Sequence, residues 1–408
     1  MTDAREFDIV LFGATGYTGR LVAEELLARS NGFRWALAGR DVRKLEAVKT
    51  HLVERDPAAA ALPLLIADSH DRASLDAIAR RTRVVCTTVG PYALHGAELV
   101  AACATSGTHY CDLTGEAPFM RQMIDRHHDT ARRTGARIVH ACGFDSIPSD
   151  LGVLLADEAM RQRSGGLPCE SATLHVVKLR GGASGGTLAS MLNLVDAARR
   201  DPEVRAILLD PYSLNPEGER HGPDGRDRFG MESGPDGYLA PFVMGAVNTR
   251  VVRRTNALMG FRYGRGFRYR EVSRFPRSPK GFFAAAGMSA GLAVFMAAVA
   301  TPGLRTLVAS ALPKPGEGPT AEQRDKGLFR ILVEGERRDG EVIRKVTVRV
   351  EGDRDPGYGF TAVMLAESAL CLALDPLTTE GGVLTPASAM GLTLVKRLRG
   401  AGMVLSVE

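Results

Sequence analysis

The chain of 408 residues has no Cys-x-x-Cys pair and no group of Cys and His at zinc spacing; its six cysteines, at 86, 103, 111, 142, 169 and 371, are scattered. Neither a metal site nor a disulfide framework is signalled, and reduced thiols in cytosol fit best. Too few residues precede the first apolar run, which begins at residue 8, to hold a charged-then-apolar secretory signal, so the expected location is cytoplasmic. There is no great excess of either charge: 52 Lys and Arg stand against 47 Asp and Glu, a net +5. With 45% hydrophobic and 24% charged residues, near globular averages, neither wholesale disorder nor a polytopic membrane protein is suggested. The length points to two domains, each able to bury its own core.

What is present begins at residues 8–12, an apolar strand running into Gly13-Ala14-Thr15-Gly16-Tyr17-Thr18-Gly19. In a strand-turn-helix of this kind the first glycine permits the tight turn and the second lets backbone approach a pyrophosphate. The third allows close helix–strand packing, while N–H groups at the helix start face the anion. Residues 20–29 carry a helical apolar stripe, and 33–38 read as a second strand, so a βαβ dinucleotide unit is complete in about thirty residues. That second strand ends where the adenosine ribose is read. An acid there suits the 2′-hydroxyl of NAD, whereas arginine pairs with the 2′-phosphate of NADP. The residue is Arg40, followed by Asp41 and then by Arg43 and Lys44, which favours NADP(H).

The alternation continues with strands at 64–68, 84–89, 108–113 and 136–141 and helices at 72–80, 97–106 and 119–134. Six strands make a doubly wound parallel sheet, an α/β Rossmann domain over residues 1–160. In such a sheet the carboxyl ends of strands border the ligand crevice. Asp68, Thr88, Val89 and Gly90 are therefore placed with the cofactor alongside Gly13, Thr15, Gly16, Tyr17, Thr18, Gly19 and Arg40. Tyr92 stands beside the nicotinamide half as a candidate proton donor. The sixth strand opens into residues 142–150, where Ser146 or Ser149 could cap the next helix, and Asp145 and Ser146 could orient substrate or water.

Several stretches resemble the saccharopine dehydrogenase-like oxidoreductases, most closely their actinobacterial branch, the trans-acting enoyl reductases. They are Gly-Ala-Thr-Gly-Tyr-Thr-Gly at 13–19, Ala-Leu-Ala-Gly-Arg at 36–40, Thr-Thr-Val-Gly-Pro-Tyr at 87–92, Asp-Leu-Thr-Gly-Glu at 112–116, Cys-Gly-Phe-Asp-Ser-Ile-Pro-Ser-Asp at 142–150, and two later runs at 248–258 and 382–391. The resemblance runs nearly end to end. It implies an NADP-binding Rossmann domain and a reductase that saturates a carbon–carbon double bond left by a polyketide synthase in complex-lipid assembly. It hands over no catalytic residue.

Residues 161–408 read as a second, α+β domain for substrate or dimerisation. Strands are expected around 171–180 and at 328–335 and 342–350, the latter two a hairpin about Asp339-Gly340. A glycine-rich run at 181–187 precedes a helix and reads either as a flexible connector or as backbone N–H groups offered to a thioester carbonyl, a phosphopantetheine phosphate or a carboxylate. Residues 201–238 read as a long surface loop, 313–316 as a break, and 361–373 and 390–398 as helices. Residues 250–280 hold ten Arg or Lys against one Glu, which suggests one basic surface for an acidic partner. Residues 282–300 follow without a charge. They read as a buried helix lining an acyl tunnel or as a helix inserted in a membrane surface, with flanking arginines suited to anionic headgroups or an acidic acyl-carrier protein.

No Ser-x-x-x-Lys or Tyr-x-x-x-Lys dyad stands at the site edges, which argues against a short-chain-dehydrogenase mechanism. Saccharopine-type chemistry at a C–N bond is a second reading, and a membrane-apposed protein that binds NADP without turnover a third. The expected partners are an acyl or polyketide substrate on a carrier, an anionic membrane touched peripherally, and a second copy of the chain; nucleic acid is not among them.

Overall fold

The computed structural model describes residues 5–30, 32–181, 185–225, 230–301, 303–305 and 318–408, with 185–189 described in backbone alone. The expected break at 313–316 and residues 182–184 of the glycine-rich run lie outside the described residues. The chain forms two compact units: unit 1 is Met1–Ile147, Pro315–Pro319 and Gly357–Ala401, and unit 2 is Pro148–Lys314, Thr320–Pro356 and Gly402–Glu408. A single cut at residue 160 misses that the chain returns to its first unit.

In chain order, unit 1 opens with β1 (Phe7–Phe12), α1 (Tyr17–Leu27), β2 (Trp35–Gly39), α2 (Val42–Arg55), β3 (Leu64–Ile66), α3 (Arg72–Arg81) and β4 (Thr82–Thr87). It continues with α4 (Tyr92–His95), α5 (Ala97–Ser106), β5 (His109–Cys111), α6 (Ala117–Thr134) and β6 (Arg137–Val139). Helix α7 (Ile147–Arg163) leads into unit 2. That unit contains β7 (Ser171–Arg180), α8 (Gly185–Arg200), α9 (Pro202–Leu209), β8 (Glu232–Gly234), β9 (Gly237–Pro241) and α10 (Gly245–Leu258). Then come β10 (Arg268–Pro276), α11 (Pro279–Ala300), β11 (Leu328–Asp339) and β12 (Val342–Gly352). Back in unit 1 are α12 (Thr361–Leu374), β13 (Gly382–Leu384) and α13 (Pro386–Gly400), and β14 (Val404–Val407) closes unit 2.

The sheet of unit 1 runs β13-β6-β5-β4-β1-β2-β3 and is parallel throughout. Strands β1 and β2 are buried at every position, as a sheet covered by helices on both faces demands. The order reverses beside β1, which pairs with β2 on one side and β4 on the other, so the switch-point crevice lies at the carboxyl ends of β1 and β4. Asp41 and Asp71 start α2 and α3 as side-chain N-caps. Strand β13 was not expected; it extends the sheet beyond β6. Helix α12 is buried along nearly its whole length, from Thr361 to Ala373.

Unit 2 is built on a mixed sheet, β14-β12-β11-β7-β10-β9-β8, in which only β7 and β10 pair in parallel. The expected hairpin is present, its register closing on Asp339 opposite Val342, with Gly340 at φ 62 in the turn. The stretch 201–238 is not wholly loop, since α9 and β8 lie within it.

The basic segment corrects the sequence reading. Eight of its ten cations are engaged inside unit 2: Arg250 donates to the Asp210 carbonyl (3.1 Å), Arg254 to that of Leu214 and Arg268 to that of Pro223 (3.3 Å). Arg253 pairs with Asp224 (2.9 Å), Arg262 with Asp157 (3.0 Å), Arg265 with Glu219 (2.6 Å), Arg270 with Glu232 (2.9 Å) and Arg274 with Glu334 (3.0 Å). Arg250, Arg253 and Arg254 are buried in holding the unit together, while Arg265, Arg268 and Arg270 stay exposed beside their partners. Helix α11 also departs from the tunnel reading, because Gly281, Ala285 and Val299 are its only buried residues.

Candidate active site

The glycine turn packs directly on the loop after β4. Thr88 donates its N–H to the Phe12 carbonyl (3.1 Å) and its hydroxyl to that of Gly13 (3.2 Å). Gly13 sits at φ 92, and a Cβ there would meet Val89 at 2.7 Å. A Cβ on Gly19 would lie 2.1 Å from the Gly13 carbonyl oxygen, so both glycines are required by close approach. Gly16 is different: it is exposed, and the nearest atom to an added Cβ is 3.4 Å away. It is the N-cap of α1, with no side-chain cap and no acid in the first turn. An open cap of this kind, at the switch point of a parallel sheet, fits a dinucleotide pyrophosphate. Thr15 and Thr18 are half-buried in the turn. Tyr17 donates its hydroxyl to the Pro319 carbonyl and packs edge-on against Tyr358 at 4.8 Å, so its side chain fixes the helix start.

Arg40 is exposed at the end of β2. Asp41 turns its carboxylate into α2, accepting from the N–H groups of Arg43 (3.0 Å) and Lys44 (3.2 Å). The Ala67 N–H meets the Gly39 carbonyl at 3.1 Å, which sets Asp68 beside Arg40 on the sheet edge. The Asp68 carboxylate accepts from the His70 N–H (2.9 Å), and the His70 and His95 rings approach to 3.1 Å between Nε2 and Nδ1. Burial, with His70 and Arg40 nearby, lowers the His95 imidazole below its ordinary range. This histidine pair was not foreseen, because 25 residues separate its members.

Beyond the Thr87-Thr88-Val89 run, Gly90 is exposed and its bond to Pro91 is cis. The next residue, Tyr92, is 7% exposed and fully engaged: its hydroxyl donates to the Thr87 carbonyl (3.3 Å) and accepts from the Leu113 N–H (3.1 Å). Burial, with Asp112 nearby, pushes its phenol well above the ordinary range. Glu116 holds the same loop, taking the N–H groups of Tyr92 (3.0 Å) and Ala93 (2.8 Å).

Asp112, which sequence reasoning passed over, is the hub of the neighbouring strand ends. Fully buried, it accepts from Tyr110 Oη (2.8 Å), the Thr114 N–H (3.1 Å) and the Ala141 N–H (3.1 Å), and lies 2.7 Å from His140 Nδ1. Its carbonyl takes the Cys142 N–H at 2.8 Å. These bonds hold Ala141 at φ 60, a left-handed conformation that a residue with a Cβ adopts only when its surroundings enforce it. An aspartate ending an apolar strand, two residues before a threonine, was the available signal. The following loop is pinned again where Phe144 donates its N–H to Thr361 Oγ1 (3.1 Å). Within it Ser146 is fully buried, whereas Asp145 is half-buried beside Gly115. Burial pushes the Asp145 carboxyl up to about 6. The backbone of 185–187 starts α8 in unit 2. Among the described residues no group of His, Cys, Asp and Glu is arranged to hold a metal.

Comparison with known proteins gives the family. Residues 9–139 match the saccharopine dehydrogenase NADP binding domain. The chain is 42% identical to a trans-acting enoyl reductase of Mycobacterium ulcerans, covering 98% of both chains. It is 40% identical to one of Mycobacterium tuberculosis, over 98% of this chain and 97% of that one. Apo saccharopine dehydrogenase (L-Glu forming) from Saccharomyces cerevisiae shares the fold, with a TM-score of 0.54 at 13% identity over 98% of this chain and 99% of that one. The protein is an NADP-dependent oxidoreductase of the saccharopine dehydrogenase-like kind and belongs to the family of the trans-acting enoyl reductases.

Proposed function

We infer that this chain saturates a carbon–carbon double bond of an acyl or polyketide chain held on a carrier, acting in trans on the product of a separate synthase. The observation that carries this reading is identity of 40% and more, over 98% of the chain, to relatives named for that activity. NADPH supplies the hydride. The chain's own residues bind and orient it: Gly13, Gly16 and Gly19 with Thr15 and Thr18 at the pyrophosphate, Thr88, Val89 and Gly90 along the crevice, Asp68 at the adenosine end, and Arg40 on the 2′-phosphate. Tyr17 contributes backbone.

The proton for the neighbouring carbon is assigned to Asp145. It is the one of the three candidate side chains at this edge that combines partial exposure with a carboxyl raised to about 6, so a useful fraction is protonated near neutrality. Tyr92 and Ser146 act as positioning residues, since their buried surroundings serve the loops that carry them.

The reading places the enzyme in the cytoplasm, peripheral to the inner face of the membrane, and allows a homodimer. Saccharopine-type chemistry has the shared fold and the match of residues 9–139 in its favour, against identity of 40% and more over the whole chain for enoyl reduction. The test is NADPH oxidation with an α,β-unsaturated acyl thioester on a carrier protein. A saturated thioester formed in step with oxidation is expected; oxidation with saccharopine or an imine but not with the thioester would overturn the assignment.

A further inference from the structure

Helix α11 presents most of its apolar surface uncovered: Phe283 is 73% exposed, Val294 68% and Met288 43%, and only 17% of its apolar window is buried. Phe283, Gly287, Ala290 and Val294 fall at helical spacing on one stripe, all exposed. Residues of this kind, contiguous over a helix of 22 residues, form a patch well beyond the scattered apolar side chains of an ordinary surface. At the amino end of the helix Arg277 and Lys280 are exposed beside Phe282 and Phe283. No aspartate or glutamate stands between Glu271 and Glu317. Apolar bulk with cations at one end, on a stretch of chain without acids of its own, is complementary to an anionic bilayer surface, where cations meet headgroups and aromatic rings sit at the level of the headgroups.

The fastening of the helix decides how it meets lipid. Its first turn is packed on the sheet of unit 2, because a Cβ on Gly281 would lie 2.0 Å from the carbonyl oxygen of Pro276 in β10 and Phe282 meets Tyr238 of β9 edge-on at 5.4 Å. Just past its far end Arg305 pairs with Asp196 of α8 in the same unit. A helix of this length could span a bilayer. With both ends tied to one globular unit, it can only lie along the surface.

We propose that α11 is a monotopic lipid-binding helix, embedded along its Phe283–Val294 face in one leaflet of an anionic bilayer, with Arg277 and Lys280 on the headgroups. This specifies the membrane contact of the reading above by segment and orientation. Its occupant is lipid, and a second copy of the chain is the competing occupant.

The experiment is flotation of the full chain with vesicles of equal parts phosphatidylglycerol and phosphatidylcholine, together with the mass of the protein in solution. The chain is expected to float with these vesicles, and about tenfold less with phosphatidylcholine alone or as Arg277→Glu/Lys280→Glu. Phe283→Asp/Val294→Asp should lose flotation by about tenfold or more while keeping the wild-type melting temperature, solution mass and NADPH affinity. A wild-type chain that stays behind, or a double variant that floats unchanged, would overturn the proposal. So would a double variant that falls from dimer to monomer when the wild type does not float, since the face would then belong to a second copy. NADPH oxidation with a soluble carrier-bound thioester is read separately, so loss of the enzyme reading and loss of the lipid reading are distinguishable.

Discussion

Among the described residues two helical stretches are long and apolar enough to cross a membrane, and the fold treats them in opposite ways: the apolar part of Pro356–Leu374, mostly α12 of unit 1, is 83% buried, and that of Pro279–Ala300 in unit 2 is 17% buried. The contrast extends to charge. Unit 1 covers its apolar helix and leaves Arg40, Arg43 and Lys44 exposed at a strand edge, whereas unit 2 draws Arg250, Arg253 and Arg254 inside and leaves an apolar helix outside. Each unit therefore has a different kind of side chain available for a partner. Unit 1 offers polar groups to an anionic small molecule, and unit 2 offers carbon to something apolar.

The sharpest break of that contrast is one substitution made twice. Leu365→Asp puts a carboxylate at a fully buried position of α12 and should cost about 4 kcal/mol or more, unfolding unit 1. Val294→Asp in α11 should change stability by less than about 1 kcal/mol. Thermal unfolding of the two variants checks this, and equal losses would remove the distinction.

Next in size is Gly16→Asp. Aspartate is a favoured N-cap and the position has room, so folding and vesicle flotation should be kept, but a carboxylate at the open helix start repels pyrophosphate. NADPH affinity measured by fluorescence titration should fall by about a hundredfold, roughly 3 kcal/mol.

Asp145→Asn should lower kcat for enoyl reduction by about a hundredfold with the NADPH Kd unchanged. The pH dependence has a definite sign. The donor is the protonated form, so the wild-type rate should fall as pH rises through about 6, and the variant should lose that limb. An undiminished limb would pass the proton to another group.

The smallest effect expected is that of Arg40→Ala, which should weaken NADPH by about tenfold and leave NADH nearly unchanged, since only NADPH carries the 2′-phosphate. Parallel titrations with the two cofactors read this directly.

Much of unit 1 was legible because a parallel sheet writes itself as continuous apolar runs closed by glycine, and Gly13 to Arg40 falls within one local βαβ unit. Strand β13 was not, being three residues that join β6 from 245 positions away, as in the pair Gly382 and Arg137. The basic segment was misread for a similar reason: the acids that neutralise Arg253 and Arg262 lie 29 and 105 residues off, and no local pattern announces them. Tyr92 was rightly placed at a strand edge, yet the two backbone groups that occupy its hydroxyl are seen only when Thr87 and Leu113 are brought together. Asp145 was legible as an acid at the sheet edge. The hub at Asp112 that fixes its loop was announced only as an aspartate at a strand end, because its partners meet only once β5 and β6 lie side by side.

The most direct test of the central claim is a single turnover of the full chain with NADPH deuterated at the transferable position and a carrier-bound α,β-unsaturated thioester, with the product analysed by mass spectrometry. The account predicts a saturated thioester carrying the deuterium at the carbon β to the carbonyl. An unchanged thioester, with deuterium delivered instead to the carbon of an imine supplied alongside it, would contradict the account.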